Sequence, residues 1–512
     1  MRLLKRLSFS PKKLTGLVLG PGVFLLMIFF VKLDPENPSV TMTAAVGLLM
    51  AIFWITEIIP LAATSLLPVV LFPILGIMDG KEVSSTYFNH VIFLFIGGFL
   101  VALAMQRWNL HKRIALRILM LTGARPGSIL LGFMIATAFI SMWMSNTATA
   151  MMMIPILLSV IQNLEETIDQ KVIAKFSVGL LLGVAYSASI GGIATLVGTP
   201  PNLSLVRIFQ IMFPQAPEIS FTQWFFFALP LTLVIFIFVW WLLNFKFGPK
   251  KSEWVQLERG IFRRQFEEMG PMRFEEKIIL ADFVILALLW LSRSSLDFGH
   301  FMIPGWSELF KSPEYVNDGT VAIMMALLLF FIPSKSEKGQ RVLTWETASK
   351  LPWHIVLLFG GGFALASAFA ESGLSAWFGE QLKWMSNIHP IFIILMISLL
   401  VTFLTELTSN TATTEMILPI LAGLSVSIEI NPLFLMIPAT LSASLAFMLP
   451  VATPPNAIIF GTNRLKIADM ARTGLIINLV GAVVITLFTY FMVGVVFNHA
   501  DLSLPPWAVK LK

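Results

Sequence analysis

Ser145-Asn146-Thr147-Ala148-Thr149 recurs as Ser409-Asn410-Thr411-Ala412-Thr413, a shift of 264 positions in a chain of 512 residues. The same shift carries Pro155 onto Pro419 and Gly97-Gly98-Phe99 onto Gly361-Gly362-Phe363, so the likeness covers most of each half. A second pair, Thr199-Pro200-Pro201-Asn202 and Thr453-Pro454-Pro455-Asn456, follows at a shift of 254, which places a loop ten residues shorter in the second half. Self-similarity on this scale is an internal duplication.

The duplicated stretches lie in a very apolar chain. With 57% hydrophobic and 12% charged residues there is too little charge to cover a soluble protein of this length, and the chain belongs in a lipid bilayer. The net charge of +6 does not imply nucleic acid, because the basic residues fall in short loops between apolar spans, as positive-inside topology requires. There is no cysteine, which excludes disulfides and thiolate metal sites, and the six histidines are scattered without ligand spacing. Met1-Arg2-Leu3-Leu4-Lys5-Arg6, with Lys12 and Lys13, resembles the charged start of a signal peptide. No small-residue cleavage site follows Phe30, and Pro21-Gly22 interrupts the run, so a retained first span is expected.

Apolar spans are predicted near 14–31, 39–56, 58–77, 91–106 and 222–245, then 276–292, 318–332, 353–370 and 474–497. Arg107 to Arg117 is amphipathic and should lie along the cytoplasmic interface. The segments 126–161 and 388–428 are apolar but broken at the Ser-Asn-Thr motifs into arms of about 16–20 residues, short for a full crossing, and are read as re-entrant hairpins. The segments 175–212 and 433–461 are read as crossings unwound at Thr-Pro-Pro-Asn. Freed backbone at that depth must be buried in protein or line a polar cavity. With re-entrant hairpins and a cytoplasmic N-terminus, the basic loops 107–125, 246–277, 333–350 and 462–472 all fall inside. Eleven crossings then place the halves in opposite orientation. The fold expected is an all-α integral membrane protein of 11 transmembrane helices plus two re-entrant hairpins in an inverted repeat. Its parts are an N-terminal segment with the first helix (1–38), a first repeat (39–245), a cytoplasmic connector (246–275) and a second repeat (276–512).

Ser, Asn and Thr are strong helix N-caps, and proline at the first helical position loses nothing by lacking an N–H. Each break therefore directs a helix N-terminus, with free N–H groups and partial positive charge, toward the midplane, and four such ends suit an anion. The same breaks free backbone carbonyls beside the neutral oxygens of Ser141, Ser145, Asn146, Thr405, Ser409 and Asn410, the ligand type that sodium prefers. A lone Ser-Asn-Thr in an apolar helix is ordinarily packing glue; duplication together with the Thr-Pro-Pro-Asn pair favours a site. Glu406 and Glu415 have Met142 and Met151 as counterparts and are open to three readings: helix capping, contact with an aqueous cavity, or proton coupling. Glu57 and Asp282 are expected near the interfaces.

The paired motifs, with Trp108-Asn109-Leu110-His111-Lys112-Arg113 and Thr56-Glu57 before Pro60, resemble the divalent anion:sodium symporter (DASS) family over nearly the whole chain. The resemblance implies an elevator-type transporter, a homodimer whose hairpins and broken helices move against a fixed scaffold. It implies dicarboxylates such as succinate, malate and fumarate, or in some members citrate or sulfate. Carried over by motif, one sodium site falls on Ser141, Ser145, Asn146 and Gly198, and its mate on Thr405, Ser409, Asn410 and Ala452. Substrate carboxylates fall to Asn146, Thr147, Thr199, Pro200, Asn410, Thr411, Thr453 and Pro454. Ala194 stands where the family often has glycine. The function expected is import of a C4-dicarboxylate coupled to at least two sodium ions across the cell's inner membrane, with no organic cofactor and no nucleic acid. The alternatives are a sodium-independent anion exchanger, or a citrate or sulfate transporter of the same fold. An enzyme is not expected, for no nucleophile, acid-base pair or metal cluster is found.

Overall fold

The computed structural model describes residues 11–123, 125–166, 168–250, 260–297, 302–497 and 501–509. The basic start Met1–Arg6 and the centre of the connector lie outside them. Helices α1 (Pro11–Phe30) and α2 (Pro38–Thr56) pack antiparallel. Gly16 and Gly20 permit this, since a Cβ on either would strike Thr56 or Phe53.

The predicted span 58–77 is divided into α3 (Leu61–Thr64) and α4 (Leu67–Ile74). Pro68 supplies no N–H to continue the first piece, and the Ser65 carbonyl is turned to the Tyr87 hydroxyl at 2.5 Å. A short α5 (Gly80–Thr86) follows. Asn89 then caps α6 (His90–Arg107), its side chain accepting from the Val91 and Ile92 N–H groups. Asn109, in the left-handed region with φ 57°, turns the chain into the amphipathic α7 (Leu110–Thr122). At the matching place in the second half Gly373 has φ 78° and turns the helix before it toward a short helix of its own.

Both hairpins form as expected. In the first half α8 (Pro126–Ser141) and α9 (Asn146–Glu165) meet at the Ser-Asn-Thr break, and α10 (Gln170–Ile193) and α11 (Pro200–Met212) make the broken crossing. Then α12 (Phe221–Phe247) runs out to the connector, where α13 (Gly260–Glu268) packs on α7. The second half consists of α14 (Phe274–Leu291), α15 (Asp318–Phe331), a one-turn α16 (Trp345–Ala348), α17 (Trp353–Glu371) and α18 (Leu374–Gln381). Its hairpin is α19 (Pro390–Thr405) with α20 (Asn410–Ser427), its broken crossing α21 (Leu433–Ala443) with α22 (Pro454–Phe460), and its last span α23 (Ile467–Val496). Two strands, Leu296–Asp297 and Met302–Ile303, pair antiparallel in the loop after α14. Among the described residues, eight helical stretches are long and apolar enough to cross a bilayer by themselves. Asp282 lies mid-helix in α14 and is buried.

The duplication shows in the packing. Gly97 brings α6 against the backbone of Ala322 in α15, and Gly361 brings α17 against the backbone of Ser65. In each case a Cβ would lie 2.5 Å from backbone atoms. The halves also interlock: α20 of the second hairpin packs along α11, and α9 of the first packs against α22. Charge is settled at the ends of spans. Buried Arg113 of α7 grips Glu276 of α14 with two nitrogens, at 2.5 and 3.3 Å.

Candidate functional site

The Ser145 hydroxyl accepts from the Ala148 N–H at 3.2 Å and starts α9 as an N-cap. One turn earlier, the Ser141 hydroxyl lies 2.7 Å from Asn146 Oδ1 and 2.7 Å from the Ala188 carbonyl of α10. A hydroxyl has one proton to give, so the two acceptor oxygens share one donor. The first break closes over this group. Gly192 and Gly198 approach so nearly that a Cβ on Gly192 would lie 2.7 Å from Asn146 Oδ1 and 3.0 Å from the Gly198 carbonyl. Thr195 donates its hydroxyl to the Met142 carbonyl and accepts from the Gly198 N–H, which ties the break to the hairpin tip.

The second half repeats the arrangement. The Thr405 hydroxyl lies 2.7 Å from Asn410 Oδ1 and 2.8 Å from the Ala443 carbonyl. Ser409 caps α20 by backbone position, with no side-chain cap bond. Each half thus holds a hydroxyl, an amide oxygen and a backbone carbonyl within hydrogen-bond distance, with fewer protons than lone pairs. Such an oxygen-rich, uncharged cluster can accept a hard monovalent cation.

The prolines occupy the places predicted. Thr199 and Thr453 are N-caps, and Pro200 and Pro454 open α11 and α22. Thr199 is buried, Thr147 is half-buried, and Thr453 accepts from the Asn456 N–H at 3.4 Å. Ala452 is buried in the turn before Thr453. Together Asn146, Thr147, Pro200, Asn410, Thr411 and Pro454 lie in the first turns of four half-helices whose leading N–H groups have no helical partner. The 194–199 break is wholly buried, whereas Val451 in the second is 83% exposed, so the two halves are not equally open.

Three features escaped the sequence reading. The carbonyls of Ala188 and Ala443 belong to residues without functional side chains. Asn202 and Asn456, legible in the sequence only as parts of their motifs, hold the unwound segments of the broken helices. Asn202 Nδ2 donates to the carbonyls of Thr195 at 2.8 Å and Ile193 at 3.2 Å, and Asn456 Nδ2 to those of Ala446 at 2.9 Å and Leu449 at 3.1 Å. Glu406 holds the second break as a loop anchor. It accepts from the N–H groups of Phe447, Met448 and Leu449 at 2.7–3.0 Å and from the Asn478 amide at 2.7 Å. Met142, its counterpart, does part of this work through its backbone carbonyl.

A family model described as the sodium:sulfate symporter transmembrane region matches residues 12–497. The chain is 45% identical over 491 residues to a protein named sodium-dependent dicarboxylate transporter SdcS from Staphylococcus saprophyticus, covering 95% of this chain and 92% of that one. It is 44% identical over 506 residues to the protein of the same name from Staphylococcus aureus, covering 98% and 95%. Among solved structures it resembles the Alcanivorax borkumensis YdaH transporter, with a TM-score of 0.57 at 12% identity over 81% of this chain and 90% of that one. It also resembles Neisseria gonorrhoeae MtrF, with a TM-score of 0.54 at 14% identity over 92% and 96%. At such identities these two likenesses speak for the fold.

Proposed function

We propose, from the premise that the chain belongs to the divalent anion:sodium symporter family, that it imports a C4-dicarboxylate together with sodium. The observation that carries the reading is the twin constellation: Ser141, Asn146 and the Ala188 carbonyl in one half, Thr405, Asn410 and the Ala443 carbonyl in the other. Each is assigned one sodium ion, with Ser145 and Gly198 beside the first and Ser409 and Ala452 beside the second. No lysine or arginine occurs in the hairpin tips or the breaks. The dianion is therefore balanced by two cations and four helix N-termini. Asn146, Thr147, Thr199, Pro200, Asn410, Thr411, Thr453 and Pro454 are assigned to its carboxylates. The proteins named SdcS, alike over nearly their whole length, support the choice of dicarboxylate over sulfate.

In the elevator reading, the hairpins and broken helices move as a body against a scaffold that includes α6, α15 and α17. The clamp of α7 onto α14 by Arg113 and Glu276 supports a fixed frame. The protein is placed as a homodimer in the cell's inner membrane, with the N-terminus and the connector cytoplasmic. The placement of basic loops supports that orientation.

Uptake of labelled succinate into proteoliposomes tests the reading. Uptake driven by an inward sodium gradient is expected. Uptake indifferent to sodium but accelerated by internal succinate would replace symport with exchange, and uptake of sulfate in preference to succinate would overturn the substrate class.

A further inference from the structure

One buried acid has no part in the transport reading. Glu415 lies on α20 one turn beyond Thr411 and is fully buried, whereas Met151, its counterpart on α9, is 60% exposed. Its Oε1 accepts from the Ser204 hydroxyl of α11 at 3.2 Å, and its Oε2 has no hydrogen-bond partner among the described residues. Oε2 rests on the backbone methylene of Gly362 in α17, where a Cβ would lie 2.3 Å from it. The carboxyl stands where α20, α11 and α17 meet.

The groups around it supply no countercharge. Tyr87, at the end of α5, is the titratable side chain facing it. Arg207 stands one turn beyond Ser204 on α11 and makes no ion pair with it. Glu406, just past α19, is engaged by residues 447–449, and Glu380 of α18 pairs at the surface with Lys383 just beyond that helix. Helices α2 and α21 carry no charged residue, and α17 carries His354 and Glu371 at its two ends.

A carboxylate in the membrane interior with one hydroxyl donor and a methylene for neighbours is poorly compensated. A hard metal cation needs several oxygen ligands, and beyond Oε2 lies a Gly362 methylene. A proton needs one oxygen. We infer that Glu415 is a proton-binding residue of the transport cycle, protonated on Oε2 while the second hairpin packs on α17 and deprotonated to water when that contact opens. The exchange is a proton transfer to water: the carboxyl O–H bond breaks as an O–H bond to a water molecule forms, the return step reverses this, and no oxidation state changes. The inference rests on the elevator reading of the preceding subsection, because it requires α20 to separate from α17.

The test uses the full-length protein in proteoliposomes, with sodium-driven succinate uptake followed through steps of rising pH in the range where succinate is already a dianion. Wild-type uptake is expected to fall, approaching about tenfold per pH unit once the acid titrates. Glu415→Gln keeps the neutral shape and should change less than about twofold over the same steps. Identical profiles overturn the proposal. Infrared spectra of the purified wild type give a second reading that does not need Glu415→Gln to fold. A carboxylic-acid carbonyl band that shifts in Ser204→Ala is expected; absence of any band that responds to Ser204 overturns the proposal. A wild type without sodium-driven uptake at any pH refutes the transport reading instead, and the infrared result still decides the protonation of Glu415.

Discussion

Asn202 and Asn456 hold the same posture in the two halves: each Nδ2 donates to carbonyls of the unwound segment that precedes its half-helix, and each Oδ1 is buried without a partner among the described residues. The amide is what keeps an unwound segment in one shape at membrane depth. Replacing either by alanine strands at least two buried carbonyls, at a cost of about 1–3 kcal/mol for each group left unpaired. Asn202→Ala and Asn456→Ala should each lower the thermal unfolding midpoint in detergent and abolish sodium-driven uptake. Wild-type uptake by either variant would show that the break needs no such clasp.

The hydroxyls of Ser141 and Thr405 are expected to be exchangeable, because both make the same two contacts. Thr405→Ser should transport, while Ser141→Ala and Thr405→Ala should raise the sodium concentration needed for half-maximal uptake on the order of tenfold to a hundredfold, the worth of one hydrogen-bond-like contact to a charge. Asn146→Ala and Asn410→Ala should abolish sodium-dependent uptake in a protein that still folds. Thr147→Ala and Thr411→Ala should weaken succinate binding more than sodium binding. Calorimetry with each ligand in turn separates the two classes, and unchanged sodium affinity in Asn146→Ala or Asn410→Ala would remove the assignment.

The hairpins and broken crossings were legible in the sequence because repetition marks them: Ser-Asn-Thr and Thr-Pro-Pro-Asn each occur twice, at places where helix caps and prolines dictate a local stop. What repetition does not mark was missed. The span at 58–77 looks continuous by hydropathy, yet Pro68 and a contact to Tyr87 from further along the chain divide it. The carbonyls of Ala188 and Ala443 leave no trace in residue type. Glu406 could be read three ways because its partners, residues 447–449, lie some forty positions away and meet it only through tertiary packing.

Glu406 is expected to matter as an acceptor. Glutamine would turn an NH2 group toward the N–H groups of the second break, replacing hydrogen bonds to a carboxyl with donor-donor repulsion at a cost of about 2 kcal/mol or more. Glu406→Gln should therefore destabilise the protein in detergent and impair the second cation site while leaving the first site's sodium affinity near normal. A fully stable, fully active Glu406→Gln would mean that the loop at 447–449 holds its shape without the carboxyl.

Arg113 tests whether α7 belongs to a fixed frame. Its guanidinium spans both oxygens of Glu276 and also donates to the Gly270 carbonyl at 3.0 Å, joining α7, the turn before α14 and α14 itself. Removing one partner of a buried pair leaves the other charge uncompensated, which typically costs about 3–5 kcal/mol, whereas replacing both with apolar residues of similar volume is often close to neutral. Arg113→Met and Glu276→Leu should each be strongly destabilising, and the double variant should recover most of the lost stability. If α7 is a static brace, the recovered double variant will also recover sodium-driven uptake. A double variant that is stable yet unable to transport would instead place this ion pair among the parts that move.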